Sequence, residues 1–248
     1  MHYLQKARFF CAFCVPEVVR FLVLVTLAFS SGYALANECV TSEIDAWVDL
    51  KYVIDGDTIH LKDGRSVRLI GVNAPELASK NKSAEPFAIE SKESLTALLL
   101  PSKKIGLQYG REKSDRDLRT LAHVYLENGE SVQASQLKRG MAAHIIIPPN
   151  LRQQNCYAKQ EEIARSKNLG IWGDARFQMV SSNTLNANNI GFYFVSGRVN
   201  EIKQNKKTIW LFTDDKFAFR IEKDDLHFFK KLRPFQLLGQ KIAMALIF

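Results

Sequence analysis

The sequence predicts a mixed α+β chain, mainly β, of the small-barrel kind rather than a doubly wound parallel sheet. Three observations carry this. Strand patterns come first and helical patterns are interleaved late, where a parallel sheet would alternate the two. Turn signals such as Asp63-Gly64 and Asn128-Gly129 separate short apolar segments. Hydrophobic residues make up 46% and charged residues 24% of the 248 positions, which suits a packed core and excludes a disordered chain.

Residues 1–36 read as a signal peptide and are set aside from the fold. Lys6, Arg8 and Arg20 give a positive start, residues 21–29 a short apolar run, and Ala34-Leu35-Ala36 the small residues that signal peptidase reads. Arg20 stops the run well short of the roughly 20 apolar residues that span a bilayer. Cleavage before Asn37 and export to the periplasm or beyond are expected, with no stable membrane association afterwards. Cys11 and Cys14 leave with the signal. Cys39 and Cys156 remain, too few for a structural zinc site and suited to one disulfide in an oxidising compartment.

The elements follow in order. Trp47 to Val53 alternates as a strand and ends at the Asp55-Gly56-Asp57 turn. Thr58–Leu61 and Ser66–Val72 are strands joined by the Asp63-Gly64 hairpin. Asn73-Ala-Pro-Glu76 is a loop, because Pro75 cannot donate to a ladder. Pro86 to Leu100 has helical spacing through Phe87, Ile89, Leu95, Leu98 and Leu99, and Pro101 closes it. Lys104–Tyr109 and Leu121–Leu126 are strands around a charged loop, Arg111–Arg119. Ser131 caps a short helix ending at Gly140. Ala142–Ile147 is a short strand and Asn155–Lys167 a longer helix.

This makes 37–174 a first domain, 175–190 a linker turning to Ser, Asn and Thr, and 191–248 a small basic β domain with strands at 192–201, 207–213 and 216–222. Lys and Arg outnumber Asp and Glu by 34 to 26, a net +8 compatible with a polyanionic partner. The excess is +2 over residues 1–36, nil over 37–174 and +6 over 175–248. Bulk charge therefore does not mark a site in the middle of the chain.

Four features carry chemistry. Asp55 and Asp57 put two carboxylates on one side of an extended segment, the hard oxygens that divalent cations take, although Asp-Gly is also common turn chemistry. Arg68 stands among apolar strand residues, so its guanidinium must be paired or reach a polar cavity. Asn73 and Glu76 sit on a Pro-stiffened loop just beyond it. Arg119 ends a charged loop that also holds Arg111 and Arg116. No G-x-S-x-G, H-E-x-x-H or Gly-rich phosphate loop is present, and the five histidines show no ligand spacing.

Taken in order, Val53-Ile-Asp-Gly-Asp-Thr-Ile59, Val67-Arg-Leu-Ile-Gly-Val-Asn-Ala-Pro-Glu76, Arg119-Thr-Leu-Ala122 and Gly170-Ile-Trp172 closely resemble the staphylococcal nuclease (thermonuclease) family over about residues 47–173. The resemblance implies a five-stranded OB-type barrel with about three helices, and calcium-dependent hydrolysis of phosphodiester bonds in DNA and RNA. Arg68 and Arg119 match the family's phosphate-binding arginines, and Glu76 the glutamate assigned to the attacking water. Asp57 matches a metal-ligand aspartate, Asn73 stands at a second metal-ligand position, and Ala74 at one that offers its backbone carbonyl. Arginine forks, a hard cation and a nearby carboxylate are what a phosphodiester acquiring negative charge requires.

Three departures bear on activity. Asn73 replaces an aspartate. Asp115-Arg-Asp-Leu118 replaces the tyrosine and glycine usual before the arginine. Ile145-Ile-Ile147 lacks aromatics. Residues 191–248 resemble the β extension of some secreted homologues, where Lys203, Lys206, Lys207, Lys230, Lys231 and Arg233 are candidate contacts to a nucleic-acid backbone. The expected protein is a monomeric exported nuclease. Its alternative, fed by Asn73, is an OB-type nucleic-acid-binding module that has lost its metal and its activity.

Overall fold

A computed structural model describes residues 39–80, 82–102, 104–186, 191–214, 217–228 and 234–247. The predicted signal peptide and Lys230, Lys231 and Arg233 lie outside the described residues. The first strand segment is broken in two, β1 (Ala46–Val48) and β2 (Leu50–Val53), and this break lets the sheet curl. With β3 (Thr58–Leu61), β4 (Ser66–Leu69), β6 (Ile105–Ser114) and β7 (Thr120–Tyr125) they form a sheet ordered β1-β6-β7-β4-β3-β2. The two edge strands are thus consecutive pieces of chain separated only by Asp49, so the sheet curls back on itself. Six strands are present where the resemblance implies five, because one segment serves both edges.

The β4–β7 pair is parallel, with Arg68 opposite Leu121, and the other pairs in this sheet are antiparallel. The predicted Ser66–Val72 strand stops at Leu69, since Gly71 at φ 85° turns the chain. Beyond that turn, β5 (Val72–Asn73) pairs with β8 (Ala143–His144), which is all that forms of the predicted 142–147 strand. β6 runs further than predicted, to Ser114, through an irregularity between Tyr109 and Ser114.

Helices α1 (Ala88–Leu99), α2 (Val132–Lys138) and α3 (Gln154–Ser166) match the three expected. Ser131 caps α2, its hydroxyl accepting from the Ala134 N–H. The buried face of α1 is Ala88, Ser91, Leu95 and Leu99, and Ile89 is exposed, against expectation. The shift is chemical: Ser91 Oγ donates to Met141 O and Gln136 Nε2 donates to Ser91 O, so a polar residue is satisfied inside. The core under the curled sheet is mainly apolar, with Ile59, Leu61, Val67, Leu95, Leu99, Ile105, Leu107 and Leu137 fully buried. Cys39 and Cys156 form a disulfide, Cα–Cα 5.8 Å, linking the start of the barrel to the first turn of α3 across 117 residues. On the chain-entropy account a closure this long contributes up to about 5 kcal/mol.

The stretch read as a linker carries β9 (Met179–Ser181), which pairs parallel with β10 (Phe192–Arg198), and β10 pairs with β14 (Lys241–Ile247). A second three-stranded sheet follows, from β11 (Glu201–Gln204), β12 (Thr208–Asp214) and β13 (Phe217–Glu222). In β12, Ile209 and Leu211 are buried while Trp210 is partly exposed, so one face of that strand makes core. Phe192 and Phe194 of β10 pack with Ala164, Ile171 and Trp172, and the Arg165 guanidinium lies 3.8 Å from the Trp172 ring centre. Among the described residues no helix is long and apolar enough to cross a membrane.

Candidate active site

The site begins at the Asp55–Asp57 turn. Asp55 Oδ1 accepts the Asp57 N–H, so Asp55 shapes the turn while Asp57 turns inward. Gly56 is required there: a Cβ would sit 1.9 Å from Ser91 Oγ and 2.6 Å from Ala74 Cβ, where α1 and the β5 loop press on the turn. The antiparallel register sets Thr58 opposite Arg68, which brings Asp57 to the end of β4. Its carboxylate receives the Ala74 N–H at 2.6 Å on Oδ2 and the Thr58 hydroxyl at 3.1 Å on Oδ1. Arg68 Nη1 lies 2.9 Å from Oδ2. Burial pushes the Asp57 carboxyl up to about 7, against the pull of Arg68.

Arg68 meets both conditions its sequence position imposes. Its guanidinium is paired with Asp57 and donates to Leu69 O, Val72 O and, from Nη2 at 3.2 Å, to Asn73 Oδ1. It also lines a cavity of about 540 Å3 together with Asn73, Glu76, Arg119, Ile145 and Ile147. Glu76 is exposed at this cavity, on a loop whose backbone is pinned: Glu76 N–H donates to Glu85 Oε2 and Glu85 N–H to Glu76 O.

Arg119, just before β7, the parallel neighbour of β4, reaches the same cavity and is held by acids that the sequence reading passed over. Asp115 accepts the Arg119 backbone N–H on Oδ1 and its Nε–H at 2.7 Å on Oδ2, and Asp117 lies 3.6 Å from Nη2. Burial works against ionised Asp115, but these N–H bonds outweigh it and hold the carboxyl below the usual range. The signal was available as an Asp four residues before an Arg. Leu118, at the tip, has φ 60° and is exposed, a left-handed conformation that glycine takes without strain.

The structure thus gathers Arg68, Asn73, Glu76 and Arg119 on one cavity and places Asp57 behind Arg68, with Ala74 turning its N–H to Asp57. A hard cation fits this donor set in chemistry: the buried Asp57 carboxyl, raised by desolvation despite Arg68, beside the neutral oxygen of Asn73. Among the described residues no three His, Cys, Asp or Glu side chains converge, so such an ion would rest on one carboxylate and neutral oxygens. Of the basic candidates beyond residue 190, Lys203, Lys206 and Lys207 are exposed, and Lys203 is paired with Glu201 at 3.0 Å.

Comparison with known proteins finds relatives over this part of the chain. The family model for staphylococcal nuclease homologues matches residues 66–174. The thermonuclease of Staphylococcus intermedius is 36% identical over 126 residues, covering 50% of this chain and 74% of that protein. The thermonuclease of Staphylococcus hyicus is 32% identical over 148 residues, 58% of this chain and 82% of its own length. An SPbeta prophage-derived endonuclease, YokF, of Bacillus subtilis is 32% identical over 130 residues, 50% of this chain and 43% of that protein.

Proposed function

The chain belongs to the staphylococcal nuclease homologue family, and on that premise we propose that it is an exported, divalent-cation-dependent endonuclease that hydrolyses phosphodiester bonds of DNA and/or RNA. The observation that carries this reading is the convergence of Arg68, Arg119 and Glu76 on one cavity from three separate parts of the chain.

Arg68 on β4 and Arg119 just before its parallel neighbour β7 approach that cavity and offer N–H donors to the non-bridging oxygens of a bound phosphodiester, where negative charge accumulates. Glu76 orients a water and accepts its proton as the water oxygen bonds to phosphorus. The bond from phosphorus to the leaving sugar oxygen breaks, and that oxygen takes a proton from solvent. A calcium ion held by Asp57, Asn73 and the Ala74 carbonyl would neutralise charge on the same phosphate. The OB-type barrel supplies the frame, with Arg68 at a strand end and the other groups on loops beside it. Export rests on the composition of residues 1–36 and is supported by the Cys39–Cys156 disulfide, which suits an oxidising compartment. Exposed Lys203, Lys206 and Lys207 would add sequence-independent contacts to a long substrate.

Asn73 favours a second reading, a binding module without turnover, because its neutral carboxamide is already engaged by Arg68. End-labelled DNA and RNA incubated with the purified protein separate the two. Calcium-dependent internal cleavage that chelator abolishes is expected. Retention of nucleic acid with no cleavage at any calcium concentration would establish the binding module instead.

A further inference from the structure

The loop between β5 and α1 carries Glu76 and has little regular structure to hold it, its only ladder contact among the described residues being a bridge between Ser79 and Lys82. Its two ends meet through Glu85. The Glu85 N–H donates to Glu76 O at 2.9 Å, and Glu85 Oε2 accepts the Glu76 N–H at 3.1 Å. One residue therefore fixes both backbone groups of Glu76. The Glu85 carboxylate is itself buried, 8% exposed, and a buried carboxylate keeps its place only if countercharge and donors are supplied.

Two cations supply them. Lys82 lies 3.2 Å from Oε1, but it is three residues away on the same loop and largely exposed, so it can follow Glu85 wherever the loop goes. Arg176 is different. Its Nη2 lies 3.4 Å from the same Oε1, and it comes from the short turn that follows the family-matched stretch ending at residue 174. It is anchored on its own side. Asp174 Oδ1 accepts the Arg176 N–H, Nη1 donates to Phe192 O in β10, and the guanidinium sits 4.3 Å from the Tyr193 ring centre. Gly191, at φ 107°, packs over the pair: a Cβ there would come within 3.2 Å of both Arg176 Nη2 and Glu85 Oε1. The chain beyond residue 174 is thus built closely against this contact.

We infer that Arg176, acting through the Glu85 carboxylate, is a positioning residue for Glu76, and that the segment after the nuclease domain serves the reaction by holding this loop. The inference rests on the role proposed above for Glu76. Loss of Arg176 leaves Glu85 balanced only by an exposed lysine of its own loop. The Glu76 N–H then loses a fixed acceptor, and its carboxylate a fixed origin. Because small misplacements of a reacting group cost orders of magnitude in rate, the effect falls on kcat.

The test is a double-mutant cycle on a labelled oligonucleotide with calcium. Arg176→Ala is expected to lower kcat about tenfold, with KM changed less than about twofold, and Arg176→Lys to recover much of the loss. In a Glu76→Gln background, Arg176→Ala should cost nothing further. Amide exchange at Glu76 should quicken in Arg176→Ala by more than the loss of global stability, read from urea unfolding of the same variant, accounts for. An unchanged kcat in Arg176→Ala, or a loss of equal size in the Glu76→Gln background, would overturn the inference while leaving the nuclease reading intact. Absence of any cleavage by the unmodified protein would overturn that reading itself, and the role in catalysis with it.

Discussion

Arg68 and Arg119 face one cavity but are held in opposite ways. Arg68 stands within a strand, 15% exposed, with its guanidinium spent on a buried carboxylate, two backbone carbonyls and a carboxamide. Arg119 stands just before a strand, 33% exposed, tied to two acids of its own loop. The first is part of what keeps the barrel end intact. The second is a donor that the fold supports without depending on it. Under the proposed mechanism one chemical role would therefore carry very different structural costs, and substitution should expose the difference.

The largest effect expected is on that contrast. Each Arg→Ala change should lower turnover on the order of a hundredfold or more, as removal of one transition-state donor does. Stability should part them. Arg68→Ala leaves the buried Asp57 carboxyl with the Ala74 N–H and the Thr58 hydroxyl but no countercharge, and breaking a buried pair from one side costs about 3–5 kcal/mol. Arg119→Ala removes part-exposed pairs worth about 1 kcal/mol or less. Urea unfolding of the two variants beside their turnover checks this, and equal stability losses would break the comparison.

Acid should reach the Arg119 side through the strand that follows it. His123 of β7 is buried, its Nδ1 2.8 Å from the Tyr157 hydroxyl, and burial with nearby Arg152 lowers its pKa to about 4. The unfolded chain binds a proton near the usual 6.5 and the folded chain does not, so the stability from neutral His123 is complete above 6.5. It is lost as the pH falls through the folded value. From pH 7 to pH 4 this amounts to about 3 kcal/mol. His123→Gln, which keeps a hydrogen-bonding group toward Tyr157, should show a stability loss over that interval shallower by about this amount. The same slope in both proteins would show that His123 is not the group responsible.

How much of this was legible in sequence follows the range of the interactions. Arg68 between Val67 and Leu69 announces a buried guanidinium that needs a partner, and the i, i+4 spacing of Asp115 and Arg119 announces a local pair. Ser131, Asn128-Gly129 and the helix at 154–166 are equally local, and the chain forms them where the residues say. What stayed hidden depends on contacts across the fold. Asp55 and Asp57 look alike in a turn, yet only the pairing of Thr58 with Arg68 decides which is buried. Ile89 fits a helical stripe, but Gln136 and Met141 give Ser91 its partners and so choose the face of α1. Glu85 and Arg176 are 91 residues apart, and no local pattern joins them.

The smallest expected effect is the sharpest on chemistry. Asn73 touches only the Arg68 side of the site: its Oδ1 accepts from Arg68 Nη2, and its backbone is fixed by pairing with Ala143. Asn73→Asp keeps the shape and turns this neutral acceptor into an anion. Arg68 would then sit between two carboxylates, Asp57 and the new one, each keeping the other from being fully neutralised. Hard-cation affinity rises with ligand charge, so the calcium concentration giving half-maximal cleavage should fall about tenfold, while the melting temperature changes little because β5 and β8 still pair. Arg119 takes no part in this exchange. The penalty of Arg119→Ala should therefore be the same with Asn or Asp at position 73, whereas that of Arg68→Ala should differ. A calcium midpoint unmoved by Asn73→Asp would remove residue 73 from the cation site. Cleavage that exists only after Asn73→Asp would mean that the unmodified chain binds nucleic acid without cutting it.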